Sequence, residues 1–222
     1  SSDLDGDERP GTHRAIRGLE RVAEVVLIDQ HPIGRSPRAN PATYTKALEP
    51  VRQMLADTRA AREQGLQAGH FSFNVPGGRC EACSGDGYEK IEMQFLSDVY
   101  IRCSRCNGRR YKPEVLEVND RGRNIDDILQ MTVNEAIAFF SGKSRRHAAV
   151  RTALAPLAEV GLGYVRLGQP INTLSGGEAQ RLKLSRYLKS KQGRHLFIFD
   201  EPTTGLHFDD IARLLKALQR LV

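Results

Sequence analysis

Three groups of residues in this chain have the types and spacing for chemistry. Cys80-Glu81-Ala82-Cys83 and Cys103-Ser104-Arg105-Cys106 form two C-x₂-C pairs separated by nineteen residues. Two pairs so spaced match a tetrahedral four-thiolate zinc site. Glycines follow both pairs (Gly85 and Gly87, then Gly108), which suits knuckles whose backbone N–H groups turn toward sulfur. The second group is Leu174-Ser175-Gly176-Gly177-Glu178-Ala179-Gln180-Arg181. Gly176 and Gly177 let backbone N–H groups approach an anion closely, at the start of a helix whose dipole favours negative charge. The third is the apolar run Leu196-Phe197-Ile198-Phe199 ending in Asp200-Glu201. One carboxylate there can hold Mg²⁺ and the other can activate water.

Each group also has a plainer reading. Ser175 with Glu178 is a capping box, which starts many helices that bind nothing. An apolar run closing on acidic residues ends many buried strands. The cysteines could be buried thiols. Order and spacing decide for chemistry, because Pro202-Thr203-Thr204-Gly205-Leu206 follows the carboxylates directly.

The elements that must position these groups follow from periodicity. Glu24 to Asp29 reads as a buried strand, followed by Gln30 and a stretch broken by Pro32, Gly34, Pro37 and Pro41, with Arg35 and Arg38 among them. Leu48, Val51 and Leu55 predict a helix from Thr45 to about Glu63. Ile91, Met93 and Phe95 alternate with polar residues, and Leu96-Ser97-Asp98 turns the strand back into Val99-Tyr100-Ile101. Such a hairpin brings the two cysteine pairs together. Val115 to Val118 reads as a strand that turns at Asn119-Asp120-Arg121-Gly122. Thr132 and Glu135 cap a helix through Val133, Ile137 and Phe140. Gly142-Lys143-Ser144 imitates a phosphate loop, but Ile137 stands where that loop needs glycine. Lys143, Arg145, Arg146 and His147 read as a solvated helix end. Val150, Leu154 and Leu157 predict a helix kinked or restarted at Pro156. A last amphipathic helix, Asp209 to Val222, should pack on the sheet.

The chain has 222 residues and a formal net charge of +6, a basic excess that permits nucleic-acid binding. No apolar run approaches the roughly eighteen residues of a membrane span, and no secretory signal opens the sequence. A cytoplasmic protein without a membrane partner is expected, and four cysteines in one short window point to metal rather than disulfides.

The motif around Ser175 resembles the signature of ABC-type ATPases, and the run ending in Asp200-Glu201 resembles their Walker B strand. With a four-cysteine hairpin inserted ahead of that signature, the chain is similar to the UvrA family, damage-recognition ATPases of bacterial nucleotide excision repair. Ile28-Asp29-Gln30-His31-Pro32-Ile33-Gly34-Arg35, Asn74 to Cys83 and Asp200 to His207 all resemble its C-terminal ATPase half. The resemblance implies an α/β ATPase head, incomplete here, with an inserted α+β signature domain carrying the zinc hairpin. Residues 1–29 would belong to the head, 30–74 to the Q-loop and helical linker, 75–113 to the zinc module, and 114–173 to the rest of the signature domain. Residues 174–222 would return to the head.

Carried over by position, Ser175, Gly176, Gly177 and Glu178 belong to the ATP-binding signature. By that resemblance Ser175 and Gly177 would contact the γ-phosphate on an opposing head. Asp200 would hold Mg²⁺ through water, Glu201 would polarise the attacking water, and Gln30 would be the Q-loop glutamine. Implied partners are lesion-bearing double-stranded DNA, UvrB and a second copy of the parent. No G-x-x-x-x-G-K-[ST] loop precedes Glu24, so these 222 residues alone are expected to hydrolyse no ATP. Basic Arg109, Arg110 and Lys112, with Tyr88, Tyr100 and Tyr111 nearby, are candidates for DNA contact. Competing readings are a drug-tolerance paralogue, a non-catalytic zinc-dependent binding module and a transporter ATPase. The cysteine-rich repeats of DnaJ-type chaperones are set aside, since only the first pair here is followed by G-x-G.

Overall fold

A computed structural model describes residues 11–12, 14–15, 17–31, 33–34, 36, 38–91, 99–188, 194–203 and 208–221, without the side chains of 90 and 208–210. Strand β1, Glu24–Ile28, pairs in parallel with β4, His195–Phe199, in the register Val25↔Leu196 and Leu27↔Ile198. The two strands are some 170 positions apart, so everything between them is one long crossover. That crossover folds as a helical layer. It contains α1 (Pro41–Tyr44), α2 (Leu48–Ala56), α3 (Arg59–Glu63), α4 (Pro113–Glu117), α5 (Ile125–Gln130), α6 (Val133–Phe139) and α7 (Arg145–Glu159). The signature helix α8, Gly176–Tyr187, leads back to β4, and α9, Phe208–Gln219, follows it.

Helix α7 is the centre of the packing, with α2, α6, α8 and α9 against it. Val150, Leu154 and Leu157 are buried there at helical spacing. Pro156 does not restart the helix. It stands in the last turn, where its missing N–H removes one bond near an end that is already poorly bonded. The basic run proves to open α7 rather than close a helix. Ser144 is the N-cap, accepting from Arg146 N, while Arg146 pairs with Asp57 and His147 packs on Phe140. As expected, Gly142-Lys143-Ser144 follows a helix and forms no phosphate loop.

Three expectations are corrected. The single helix expected over 45–63 is two short ones, α2 and α3. Lys46 takes φ +63°, and Asp57 ends α2 one residue before Thr58 caps α3. The strand at Val115–Val118 is helix α4, with Pro113 in its first turn. Val115 and Val118 are both fully buried, and their i, i+3 spacing outweighs the β preference of so short a run. Helix α9 lies chiefly on α7 rather than on the sheet, burying Leu214 and Ala217 and exposing Leu215. Helix α5 was unforeseen, although Asn124 and Asp127 form a reciprocal capping box at its start.

Between α3 and α4 lies the cysteine module. Strand β2, Tyr88–Ile91, pairs antiparallel with β3, Val99–Arg102, in the register Ile91↔Val99. The expected continuation through Met93 and Phe95 and the turn at 96–98 lie outside the described residues, as do Thr204–His207, Pro32, Arg35, Pro37 and residues 1–10. The turn expected at 119–122 is present, with Arg121 and Gly122 at positive φ and an Asp120–Arg123 bridge.

Candidate functional site

The cysteine cluster is built by two copies of one turn. After Cys83, Ser84 and Gly85 take φ +50° and +87°, and after Cys106, Asn107 and Gly108 take +49° and +82°. A side chain at Gly85 would strike the Phe73 carbonyl at 2.1 Å, so the first knuckle needs glycine. Gly87 N donates to Cys83 Sγ at 3.2 Å. The four sulfurs lie within 4.8 Å of one another, with Cys80–Cys103 at 4.0 Å and Cys83–Cys106 at 3.7 Å. Tetrahedral zinc with 2.3 Å bonds sets its sulfurs about 3.8 Å apart. The buried thiols therefore fit one ion. Burial pushes the Cys106 thiol up to about 12. Cys80 is lowered despite its burial, because N–H groups of Cys83 and Ala82 and neighbouring thiols point at it.

The module is anchored at its base. Tyr111, 1% exposed, donates its hydroxyl to Phe71 O at 3.1 Å and meets Phe73 edge-on. Arg38 Nε donates to Asp86 at 2.5 Å, tying the stretch after β1 to the first knuckle.

The signature forms the start of α8. Ser175 is the N-cap, and its hydroxyl accepts from Glu178 N at 3.3 Å. Glu178 Oε2 in turn accepts from Ser175 N at 2.8 Å. The other oxygen, Oε1, accepts from Tyr164 at 2.7 Å. Burial would raise the Glu178 carboxyl, but the Tyr164 and Ser175 donors outweigh it and hold it below its ordinary value. Burial and Glu178 push Tyr164 up to about 12.

Gln30 lies directly over Gly176, where an added Cβ would come within 2.8 Å of Gln30 Oε1. That glycine serves the approach of Gln30. Gln30 Nε2 also donates to Asp200 O at 3.4 Å. Gln180, 2% exposed, donates to Ile28 O and to Asp200 O, both at 2.8 Å. Its amide thus joins α8 to the C-terminal ends of β1 and β4. Lys183 adds an ion pair with Asp29. The structure therefore brings Gln30, Gly176 and Asp200 together, with Glu201 next in line at φ +43°.

Sequence reasoning missed Tyr164, which no local pattern links to Glu178. It quoted Gln180 but gave it no role. The DNA candidates need correction at Arg110, which is 6% exposed, donates to Gly168 O and lies over Phe73. Tyr111 is likewise core rather than a stacking surface. Arg109 pairs with Asp126 at 3.2 Å and Lys112 with Glu81 at 2.5 Å. Tyr100, Arg102 and Arg105 are exposed.

The family model described as ABC transporter matches residues 98–204. UvrABC system protein A of Listeria monocytogenes is 54% identical over 215 residues, covering 96% of this chain and 22% of that protein. The protein of that name from Methanothermobacter thermautotrophicus is 57% identical over 213 residues, again 96% and 22%. In Bacillus subtilis the figures are 55% over 215 residues, 96% and 22%. The crystal structure of UvrA2 from Deinococcus radiodurans superposes with a TM-score of 0.83 at 51% identity, over 91% of this chain and 25% of that one. The chain thus spans about a fifth of the length of the curated relatives it matches. With the signature, the carboxylate pair and the four-cysteine module all in place, the chain matches a segment of the UvrA proteins over 96% of its own length.

Proposed function

We propose that this chain is part of an ATP-driven sensor of damaged duplex DNA in bacterial excision repair, acting in the cytoplasm as a dimer and coupling ATP hydrolysis to the loading of UvrB. The observation that carries this is the joining of α8 to the end of β4 through Gln30, Gly176 and Gln180. Those contacts support the reading, because they tie a helix N-terminus of the kind suited to phosphate to the strand end that carries Asp200 and Glu201. In this reading Ser175 and Gly177 meet the γ-phosphate of ATP on the opposing head, Asp200 holds Mg²⁺ through water, and Glu201 orients the attacking water. Cys80, Cys83, Cys103 and Cys106 hold one structural Zn²⁺, which when bound contributes folding energy to the module.

The exposure of Tyr100, Arg102 and Arg105 supports reading the hairpin as the DNA-facing part of this segment, with Arg109 and Lys112, each in an ion pair, at its base. The test is Glu201→Gln in a protein of the relatives' length. Nucleotide binding should persist while hydrolysis slows by roughly 10²–10⁴-fold, the scale of a lost general base. Unchanged turnover would remove Glu201 from that role.

A further inference from the structure

The ring of Tyr164 is 55% exposed, yet its backbone is fixed on both sides. Val133 and Asn134 open α6, and their N–H groups have no acceptor within that helix. They donate instead to Val165 O and Gly163 O, both at 2.9 Å. Gly163 leaves room for the Asn134 amide, which would lie 2.4 Å from a Cβ at that position. Leu162 and Val165 are buried and anchor this strap in the core on either side of the tyrosine. Packing thus accounts for the strap, while the tyrosine hydroxyl reaches out to α8.

At the start of α8 one carboxylate collects three donors. Ser175 N at 2.8 Å and Ser175 Oγ at 3.0 Å donate to Glu178 Oε2, and the Tyr164 hydroxyl donates to Oε1 at 2.7 Å. Arg181 Nη2 donates to the Tyr164 oxygen at 3.4 Å, which places a cation behind the phenol. The last torsion of a glutamate is broad and roughly two-fold, so the bonds from Ser175 alone do not fix how the carboxylate lies. The bond from Tyr164 pins the second oxygen, and with it the plane. The capping bonds use the N–H groups of Ser175 and Glu178, leaving those of Gly176 and Gly177 for an anion. A phosphate at this helix end would meet the negative charge of Glu178, and drawing that charge into three bonds weakens the repulsion.

We propose that Tyr164 is a positioning residue of the signature. Carried on the strap against α6, it locks the Glu178 carboxylate, and the locked carboxylate orients Ser175 for the γ-phosphate. Tyr164 itself touches no nucleotide in this scheme and acts through Glu178 alone. The inference rests on the ATPase reading of the signature given above.

The test is Tyr164→Phe, which keeps the ring and removes the hydroxyl. Burial raises the Glu178 carboxyl, and Tyr164 is the foremost donor holding it down, so in the metal-loaded 222-residue chain its ¹³C NMR titration should move to higher pH. Tm, which a loosened strap would lower, should stay close to the parent's, because the ring is largely exposed. In a protein of the relatives' length, kcat should fall roughly tenfold, the worth of one hydrogen bond to a charged group, with KM little changed. Ser175→Ala, assayed alongside, separates the inference from the reading beneath it. Slowed turnover in Ser175→Ala but not in Tyr164→Phe would leave the ATPase reading standing and overturn the inference. Unchanged turnover in both would overturn the signature reading and the inference with it. A lowered Tm with the Glu178 titration unmoved would also overturn the inference, by showing a tyrosine that only braces the strap.

Discussion

Tyr111 shows how one hydroxyl fixes the base of the cysteine module. Its ring fills space beside Phe73, while its O–H is the donor on Phe71 O. Tyr111→Phe keeps the ring and leaves that carbonyl without its donor in a dry site. Stability should fall by about 1–3 kcal/mol, seen as a lower denaturation midpoint at unchanged slope. Glu178 is a residue whose charge matters to the fold. Its folded pKa lies below its ordinary 4.5, so its stabilisation is present above the unfolded pKa and is lost as pH falls through the folded one. Glu178→Gln should therefore flatten the acid limb of the stability curve below about pH 4.5, with little change at pH 7 in that slope. An acid limb identical to that of the parent would show that the capping carboxylate is not what titrates there.

At the scale of elements, short helices here depend on their caps, since pieces of five to seven residues have little intrinsic stability. Asn124 caps α5 by accepting from Asp127 N at 3.0 Å, while Asp127 accepts from Asn124 N at 3.0 Å. Asn124→Ala should cost about 1 kcal/mol and raise amide exchange over residues 125–130. The cysteine module depends on its ion instead, because its hairpin exposes Ile91, Val99, Tyr100 and Ile101 and buries little beyond the sulfurs and its base. One zinc per chain is expected in reduced protein by metal analysis. Cys103→Ser or chelation should raise exchange across 75–113 while α7 stays protected. Protection of the hairpin in metal-free protein would contradict this.

At the scale of the whole molecule, one face of the β1–β4 pair is covered and the other is not. Val26 and Ile28 point into the core, whereas Val25, Leu27, Leu196 and Ile198 are 37–48% exposed on the opposite face. Parallel strands are ordinarily buried on both faces. The 222-residue chain by itself should therefore self-associate through this patch. Leu27→Glu with Ile198→Lys should shift its sedimentation toward monomer without loss of helix content. Unchanged association would place the contact elsewhere.

The division between local and tertiary information falls along the range of the interactions. Strand β1 reads as buried, although Val25 and Leu27 are exposed, but its existence, the four thiols, the capping boxes at Thr132 and Ser175 and the failure of Gly142-Lys143-Ser144 as a phosphate loop were all legible in the sequence. Each depends on residues a few positions apart or on fixed motif spacing. The strand assigned to Val115–Val118 and the unbroken helix over 45–63 failed because propensity over a few residues is weaker than packing and caps. Arg110 and Tyr111 read as surface because type and hydropathy say nothing about which way a residue faces in a hairpin base. Only the tertiary structure turned them inward, against Phe71, Phe73 and Gly168. It alone set Gln30 over Gly176 and let Gln180 bridge Ile28 and Asp200, contacts that span up to 152 positions. Such contacts exist only once the crossover has folded and brought β1 beside β4.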